Sequence, residues 1–224
     1  MISKHYRAII FDLDGTLIDN QVSFTVAYQK LSKLYPQVLR SDSAVQRDEL
    51  VGFYRNKEPR KAFNDFCERY GWECPPTFEE YWALWWKIYT DSAVPFPCSD
   101  DTLSFLKSNG YLIGMITNGD SRYQRAKLNS CGLLPYFDHV IVSGEVGVDK
   151  PNPKLYFLSA EALGVSLSEC LFVGNRSETD IAGAQNAGMD SMLVGTQKNL
   201  LGATYHAENV SALKEILGQS HTNP

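Results

Sequence analysis

The sequence has no apolar run approaching the roughly 20 residues of a transmembrane helix, which predicts a protein that does not bind membranes. It also lacks a surplus of positive charge, since 21 lysines and arginines are outnumbered by 26 aspartates and glutamates. The net charge of −5 argues against a nucleic-acid-binding protein with a general basic surface, although it leaves room for a local basic site. Internal repeats, low-complexity segments and heptads are absent as well. The composition, 44% hydrophobic and 21% charged, is typical of a globular protein.

Cysteine is present in an odd number and without any Cys-x-x-C spacing. The five positions are Cys67, Cys74, Cys98, Cys131 and Cys170. Scattered cysteines of this kind predict free thiols rather than a disulfide framework or a zinc site. No cysteine stands beside a histidine in a recognisable motif, so a catalytic cysteine is disfavoured. The basic segment MISKHYRAII runs directly into a strand without a small-residue cleavage site, which predicts a cytoplasmic protein.

Two carboxylates follow the first apolar segment, in the stretch YRAIIFDLDGTLIDN. Residues 8–11 have the composition of a strand buried on both faces, and Gly15 marks the turn out of it. Asp12 and Asp14 therefore lie at the carboxyl end of a strand, where α/β sheets bind ligands. Their i, i+2 spacing directs both side chains to one volume, where they need a cation or a shared proton. The alternative is a polar turn that caps a helix.

Helical periodicity without strands runs from about residue 18 to residue 94. The predicted helices are one through Phe24–Leu34, then Ser43–Tyr54, Pro59–Tyr70 and Phe78–Tyr89. Four such helices with short links predict an antiparallel bundle inserted after the first strand. The bundle core is the preferred interpretation of the tryptophans and tyrosines near residues 81–89, ahead of a stacking platform for a ligand base.

Strands and helices alternate after Pro97, which predicts an α/β fold with a parallel sheet and helices on both faces. The predicted strands are Tyr111–Thr117, His139–Ser143, Cys170–Val173 and Ser191–Val194. The predicted helices are Ser99–Ser108, Arg122–Ser130, Pro153–Leu163, Thr179–Ala187 and Val210–Leu217. The polar segment Gln219–Pro224 is predicted to be disordered.

Polar residues follow the later strands too. Thr117-Asn118-Gly119 presents a hydroxyl and backbone N–H groups suited to an anion. Pro151 keeps Lys150 extended at the mouth of the crevice, with Pro153 in the first helical position; the alternative is a solvated surface lysine. Asp180 begins a helix, where it can cap the helix or support a metal ligand. These polar residues, which follow successive strands in order, indicate a functional site more strongly together than any one of them does alone.

The chain resembles the haloacid dehalogenase superfamily, in its phosphatase branch. Four motifs carry the resemblance in order: FDLDGT, ITN, the lysine of DKPNP, and VGNRSETD running into IAGAQNAG. The resemblance implies a Rossmann-like core formed by residues 1–17 and 95–224, and a helical cap domain formed by residues 18–94. It is specific for the superfamily and says little about the substrate.

The resemblance also implies roles for individual residues. Asp12 is the expected nucleophile, which forms an aspartyl-phosphate, and Asp14 is the expected general acid and base. Thr117 and the backbone N–H groups of Leu13 and Asn118 are expected to bind phosphoryl oxygens. Lys150 is expected to neutralise charge on the nucleophile and the phosphate.

The expected cofactor is Mg²⁺, held by Asp12, the carbonyl of Asp14 and the fourth motif, where Asn175 and Asp180 are the candidates. The family usually has an acid where this chain has Asn175. An amide oxygen can bind Mg²⁺, but one negative charge is lost, so we expect a raised Mg²⁺ requirement. Asp180 or Glu178 can compensate.

The expected function is a Mg²⁺-dependent phosphatase acting on a small phosphorylated metabolite. Sugar phosphates, phosphoglycolate-like acids and nucleoside monophosphates stay open, as does the oligomeric state. Asp14 favours phosphate chemistry over dehalogenation, since the dehalogenases lack this aspartate. A phosphomutase and a catalytically weakened binding protein are the alternatives. Arg55, Lys57 and Arg60 can contact an anionic substrate, although a solvated helix face is the preferred interpretation.

Overall fold

The computed structural model describes residues 6–53, 56–198 and 201–218. The chain divides into two compact units. One contains the described residues up to Asp19 and from Pro95 onward, and the other is Asn20–Val94. The predicted helical cap domain of residues 18–94 stays a prediction.

The first unit contains a six-stranded sheet in which all paired strands are parallel, in the order β3-β2-β1-β4-β5-β6. The strands are β1 (Ala8–Phe11), β2 (Leu112–Thr117), β3 (His139–Val142), β4 (Cys170–Gly174), β5 (Asp190–Val194) and β6 (Tyr205–Ala207). Strand β1 is central and fully buried, as its apolar composition predicts. Phe11, the last residue of β1, is aligned with Met115 of β2 and Val173 of β4, so β2 extends two residues and β4 one residue beyond the end of β1. The predicted parallel α/β fold is confirmed.

Helices surround this sheet. They are α5 (Ser99–Ser108), α6 (Ser121–Ser130), α7 (Ser143–Val146), α8 (Lys154–Leu163), α9 (Ala182–Ala187) and α10 (Leu213–Gly218). The predicted helix over residues 179–187 is instead a π-helical turn, Ser177–Ile181, followed by α9. Pro153 is the N-cap of α8 and not its first helical residue, which corrects the sequence prediction by one position.

Helix α8 packs closely on one face of the sheet. Leu155 and Tyr156 lie in one buried cluster with Ile10 and Phe172. A Cβ added at Gly114 would lie 3.0 Å from the Leu163 side chain, so this glycine permits the close approach of helix and sheet. Strands β1 and β4 are buried along their whole length, on both faces, which explains why they are recognisable as continuous apolar runs.

The second unit is helical. Its described helices are α1 (Asn20–Leu34), α2 (Ala44–Gly52), α3 (Pro59–Arg69) and α4 (Phe78–Thr90). Tyr81, Trp85 and Tyr89 follow one another at intervals of four residues on α4, and all three are buried in an aromatic core. Phe63 stacks on Tyr81 with 4.7 Å between ring centroids, and Phe24 stacks on Tyr89 at 4.5 Å. These contacts favour the bundle-core interpretation of the aromatic cluster.

The two described candidates for contact with an anion, Lys57 and Arg60, show no arrangement specific for an anion. Arg60 is exposed and forms an ion pair with Glu79, and Lys57 is also exposed. Arg55, the third candidate, lies outside the described residues, as does the predicted disordered segment Gln219–Pro224. The five cysteines are free, as predicted. Within the described ranges, no helix combines the length and apolar character needed to cross a membrane.

Candidate active site

Asp12 follows β1 directly, and its side chain is 9% exposed. Its backbone N–H donates to the carbonyl of Val173 at 2.9 Å, which extends the pairing of β1 with β4 by one residue. The hydroxyl of Thr16 donates to Asp12 Oδ2 at 3.2 Å. The chain turns back after Leu13, whose carbonyl accepts from the N–H groups of Leu17 and Ile18 at 3.0 Å. Strand pairing and the turn together fix the carboxylate at the carboxyl end of the sheet.

Lys150 reaches this carboxylate from the loop before α8. Its Nζ lies 2.6 Å from Asp12 Oδ1 and 2.8 Å from Asp180 Oδ1, and its side chain is 3% exposed. The side-chain amide of Asn118 holds the Lys150 backbone: Oδ1 accepts from its N–H at 2.8 Å, and Nδ2 donates to its carbonyl at 3.2 Å. The alternative of a solvated surface lysine is therefore wrong. We call Asp12, Lys150 and Asp180 the Asp12 cluster.

Burial and neighbouring charges have opposite effects on the pKa values of Asp12 and Lys150. Burial raises the pKa of Asp12 to about 6, against the lowering effect of the Lys150 charge. Burial alone would lower the pKa of Lys150, but the negative charges of Asp12 and Asp180 outweigh it and raise this pKa above its ordinary value. The lysine is therefore a permanent cation between two acids at neutral pH.

The loop after β4 places the residues of the fourth motif. Asp180 is 1% exposed, and its Oδ2 accepts from the backbone N–H of Arg176 at 3.0 Å. The Asn175 Oδ1 lies 3.5 Å from the hydroxyl of Thr16, which also bonds Asp12. A Cβ added at Gly15 would be 2.3 Å from Asn175 Nδ2, and Gly15 has a φ of +83°. Position 15 therefore requires glycine, because its φ is positive and because the Asn175 amide leaves no room for a Cβ atom.

The oxygen donors of this site fit a Mg²⁺ ion. Asp12 Oδ2, which is not the oxygen bound to Lys150, and Asn175 Oδ1 converge on the same Thr16 hydroxyl. Carboxylate and amide oxygens are the hard ligands that Mg²⁺ prefers, with water completing its shell. Within the described residues there is no group of three or more histidines, cysteines or acids arranged for a metal ion. Asp180 has both carboxylate oxygens engaged by protein groups.

Asp14 has partners that sequence reasoning missed. Both of its carboxylate oxygens lie 2.6 Å from Lys127 Nζ, and Gln124 Nε2 donates to Oδ2 at 2.9 Å. Gln124 and Lys127 are spaced i, i+3 on α6 and are both buried. The sequence signal was a lysine and a glutamine on the helix face that also carries the buried Leu128.

A cavity of about 120 Å³ opens among these groups. It is lined by Asp12, Asp14, Thr117, Asn118, Lys150, Arg176, Thr179 and Asp180. The expected catalytic residues Asp12, Asp14, Thr117 and Lys150 all line this cavity, although they come from three separate stretches of chain. Acids, an ammonium group, a guanidinium group and a threonine hydroxyl around a small cavity are suited to phosphoryl transfer, which depends on positioning and charge neutralisation.

Glycine at position 174 is predicted to be essential for the placement of Asp180. A Cβ at this position would be 2.5 Å from the Asp180 Cβ, Cγ and Oδ2 atoms. We expect Gly174→Ala to lower the free energy of unfolding by about 2 kcal/mol through overpacking, measured by urea denaturation. Gly52→Ala is the control, because a Cβ there meets nothing within 4 Å and helix propensity favours alanine. Equal stability of wild type and Gly174→Ala would contradict this packing argument.

Comparison with protein families matches residues 6–188 to the haloacid dehalogenase-like hydrolases. The chain belongs to this family. Glyceraldehyde 3-phosphate phosphatase of Methanothermobacter thermautotrophicus is 31% identical over 230 aligned residues, covering 94% of this chain and 99% of the relative. Phosphoglycolate phosphatase of Yersinia pseudotuberculosis is 31% identical, with coverage of 83% of this chain and 79% of the relative.

The crystal structure of a phosphatase of the same family from Thermococcus onnurineus is also similar. Its TM-score is 0.66 at 28% sequence identity, over 95% of this chain and 98% of the other. The predicted superfamily, its phosphatase branch and the predicted enzyme class, a phosphoric monoester hydrolase, are confirmed by these similarities. The predicted cytoplasmic location stays a prediction.

Proposed function

We propose that this family member is a Mg²⁺-dependent phosphatase that hydrolyses a small phosphomonoester through an aspartyl-phosphate at Asp12. The observation that carries the proposal is the position of Lys150, which bridges Asp12 and Asp180 beside the small polar cavity. A buried ammonium at this place neutralises charge on both the nucleophile and an incoming phosphoryl group. The phosphatase names of the relatives support the same reaction.

The proposed reaction consists of two successive displacements at phosphorus, in which Asp12 is the nucleophile and Asp14 is the acid and then the base. A carboxylate oxygen of Asp12 forms a bond to phosphorus as the bond from phosphorus to the leaving oxygen breaks, and Asp14 supplies the proton to that oxygen. Asp14 then accepts a proton from water, which attacks phosphorus and releases Asp12. The Thr117 hydroxyl and the backbone N–H groups of Leu13 and Asn118 bind the phosphoryl oxygens.

Asp12, the Asp14 carbonyl and Asn175 would hold Mg²⁺, with Asp180 supporting the site through its contact with Lys150. The ion, when bound, supplies positive charge to the phosphoryl oxygens. We propose further that residues 18–94 form the cap domain and that residues 1–17 and 95–224 form the catalytic core, in agreement with the division into compact units.

The proposal is tested by measuring phosphate release from a panel of phosphorylated metabolites with Mg²⁺ present. Sugar phosphates, phosphorylated carboxylic acids, including the substrates for which the relatives are named, and nucleoside monophosphates belong in the panel. Rapid acid quenching and peptide mapping are expected to place a phosphoryl group on Asp12. Isomerised sugar phosphate with little free phosphate would favour a phosphomutase. Ligand binding without turnover at high Mg²⁺ would favour a binding protein.

Asn175→Asp is expected to lower the Mg²⁺ concentration that gives half-maximal activity, by about tenfold. The reason is that a carboxylate restores a negative charge beside Asp12 and binds a hard cation more strongly than an amide does. The Mg²⁺ dependence of phosphate release measures the effect. Asn209→Asp is the control, since it adds the same charge at an exposed capping position outside the site. If the Asn175 variant gains neither Mg²⁺ affinity nor rate, residue 175 is not a ligand.

A further inference from the structure

Helix α6 lies outside the four sequence motifs of the family, yet it contributes two buried polar side chains to the cavity region. Gln124 is 5% exposed and Lys127 is 3% exposed. Their i, i+3 spacing places them on the same face of the helix. Burying a lysine is costly unless its charge is paired. Here the partner is Asp14, at 2.6 Å from both carboxylate oxygens.

Gln124 links Asp14 to the end of β2. Its Nε2 lies 2.9 Å from Asp14 Oδ2, 2.6 Å from the Thr117 hydroxyl oxygen and 3.0 Å from the Asn118 carbonyl oxygen. The carboxylate and the carbonyl are acceptors only, so the amide must present its NH₂ group to them, and its two hydrogens are shared among the three oxygens. A glutamine that donates to the Thr117 oxygen leaves the hydroxyl hydrogen of Thr117 available for a phosphoryl oxygen.

The contacts of Asp14 show which acceptor positions of its carboxylate are already occupied. A carboxylate offers about four lone-pair positions. Lys127 occupies one on each oxygen and Gln124 a second on Oδ2, so one position on Oδ1 stays open. The side chain is 26% exposed, which is consistent with access for water. Three contacts thus fix the direction of this carboxylate, and Oδ1 keeps an acceptor position that water can reach.

We propose that Lys127 and Gln124 are positioning residues that hold Asp14 as the base for hydrolysis of the phosphorylated enzyme. This inference rests on the proposed function. In that step, the open lone pair of Asp14 Oδ1 takes a proton from water while the water oxygen bonds to phosphorus and the bond from phosphorus to Asp12 breaks. The first displacement from an aryl phosphate has a good leaving group and needs little protonation by Asp14.

The two steps are separated by pre-steady-state kinetics with 4-nitrophenyl phosphate and Mg²⁺. In Lys127→Met we expect a burst of about one nitrophenolate per active site, larger than in wild type. Steady-state turnover after the burst is expected to fall about 100-fold, a typical contribution of general base catalysis. Acid quenching is expected to recover more phosphorylated Asp12 from this variant than from wild type.

Lys107→Met is the matched control. Lys107 also pairs with an aspartate at 2.6 Å, Asp138, but the pair is more exposed and lies outside the cavity lining. This variant is expected to show the wild-type burst and turnover. Gln124→Glu is the second test variant, because it keeps the shape of the side chain and replaces the NH₂ donor beside Asp14 with an acceptor. It is expected to show the same enlarged burst, and it carries the test if Lys127→Met does not fold.

Wild-type turnover in both α6 variants would overturn the proposal. So would slower turnover without a burst, because a structural defect slows both displacements. These outcomes are distinct from failure of the proposed function, in which wild type yields no phosphorylated Asp12 at any quench time.

Discussion

Asp12→Asn is expected to reduce phosphate release by about 10⁴-fold or more, the order of loss that follows removal of a covalent nucleophile. The amide has nearly the same shape as the carboxylate but cannot attack phosphorus at a useful rate. The measurements are kcat with 4-nitrophenyl phosphate and recovery of phosphorylated protein after acid quenching, which should fall to zero.

The same variant is expected to be at least as stable as wild type. Burial raises the folded-state pKa of Asp12 to about 6, above its unfolded value. A carboxyl group with a raised folded-state pKa disfavours folding as the pH rises through that range, so a neutral amide relieves this cost at pH 7. Thermal unfolding at pH 7 checks this point. Asp138→Asn, outside the cavity lining, is the control and should keep full activity. Persistent turnover in Asp12→Asn would refute the proposed nucleophile.

Lys150→Met is expected to lose both activity and stability. Its removal leaves Asp12 and Asp180 as two buried acids without the ammonium that now lies 2.6 and 2.8 Å from them. Breaking a buried ion pair from one side typically costs 3–5 kcal/mol, and we expect a loss of about 4 kcal/mol in the free energy of unfolding. Turnover is expected to fall by about 10³-fold, because the charge on the phosphoryl group is no longer neutralised.

Urea denaturation and phosphate release measure these two effects separately. Lys154→Met is the matched control, since Lys154 is an exposed lysine in the first turn of α8, four residues along the chain. Surface substitutions of this kind usually change stability by less than about 0.5 kcal/mol. A Lys150 variant with wild-type stability would contradict the assignment of Lys150 to a buried ion pair.

The sheet was predictable from sequence because β1, β2 and β4 are buried on both faces and their apolar runs end at polar motifs. Strand β6 was missed, since its three residues are not buried and form no apolar run. The π-helical turn before α9 was missed for a different reason. Its residues have ordinary helical composition, and the contact of Tyr156 with the Thr179 and Asp180 carbonyls is a tertiary one.

The site was predictable where it follows strand ends and unpredictable where it depends on contacts between distant segments. Asn118 was expected to contribute its backbone, whereas its side chain holds the Lys150 backbone. Gln124 and Lys127 have no motif, and only the packing of α6 against the end of the sheet brings them to Asp14. Sequence patterns record local periodicity and do not record which helix face meets which loop.

The hydrogen bonds between the Asn118 side chain and the Lys150 backbone affect how the substrate specificity of this enzyme can evolve. Asn118 binds the main chain of Lys150, and Asp12 and Asp180 bind its ammonium group. The position of Lys150 therefore does not depend on which substrate binds. Substitutions elsewhere can therefore alter which alcohol is accepted while the proposed phosphoryl-binding site stays intact. A scaffold of this kind permits new specificities without a new reaction.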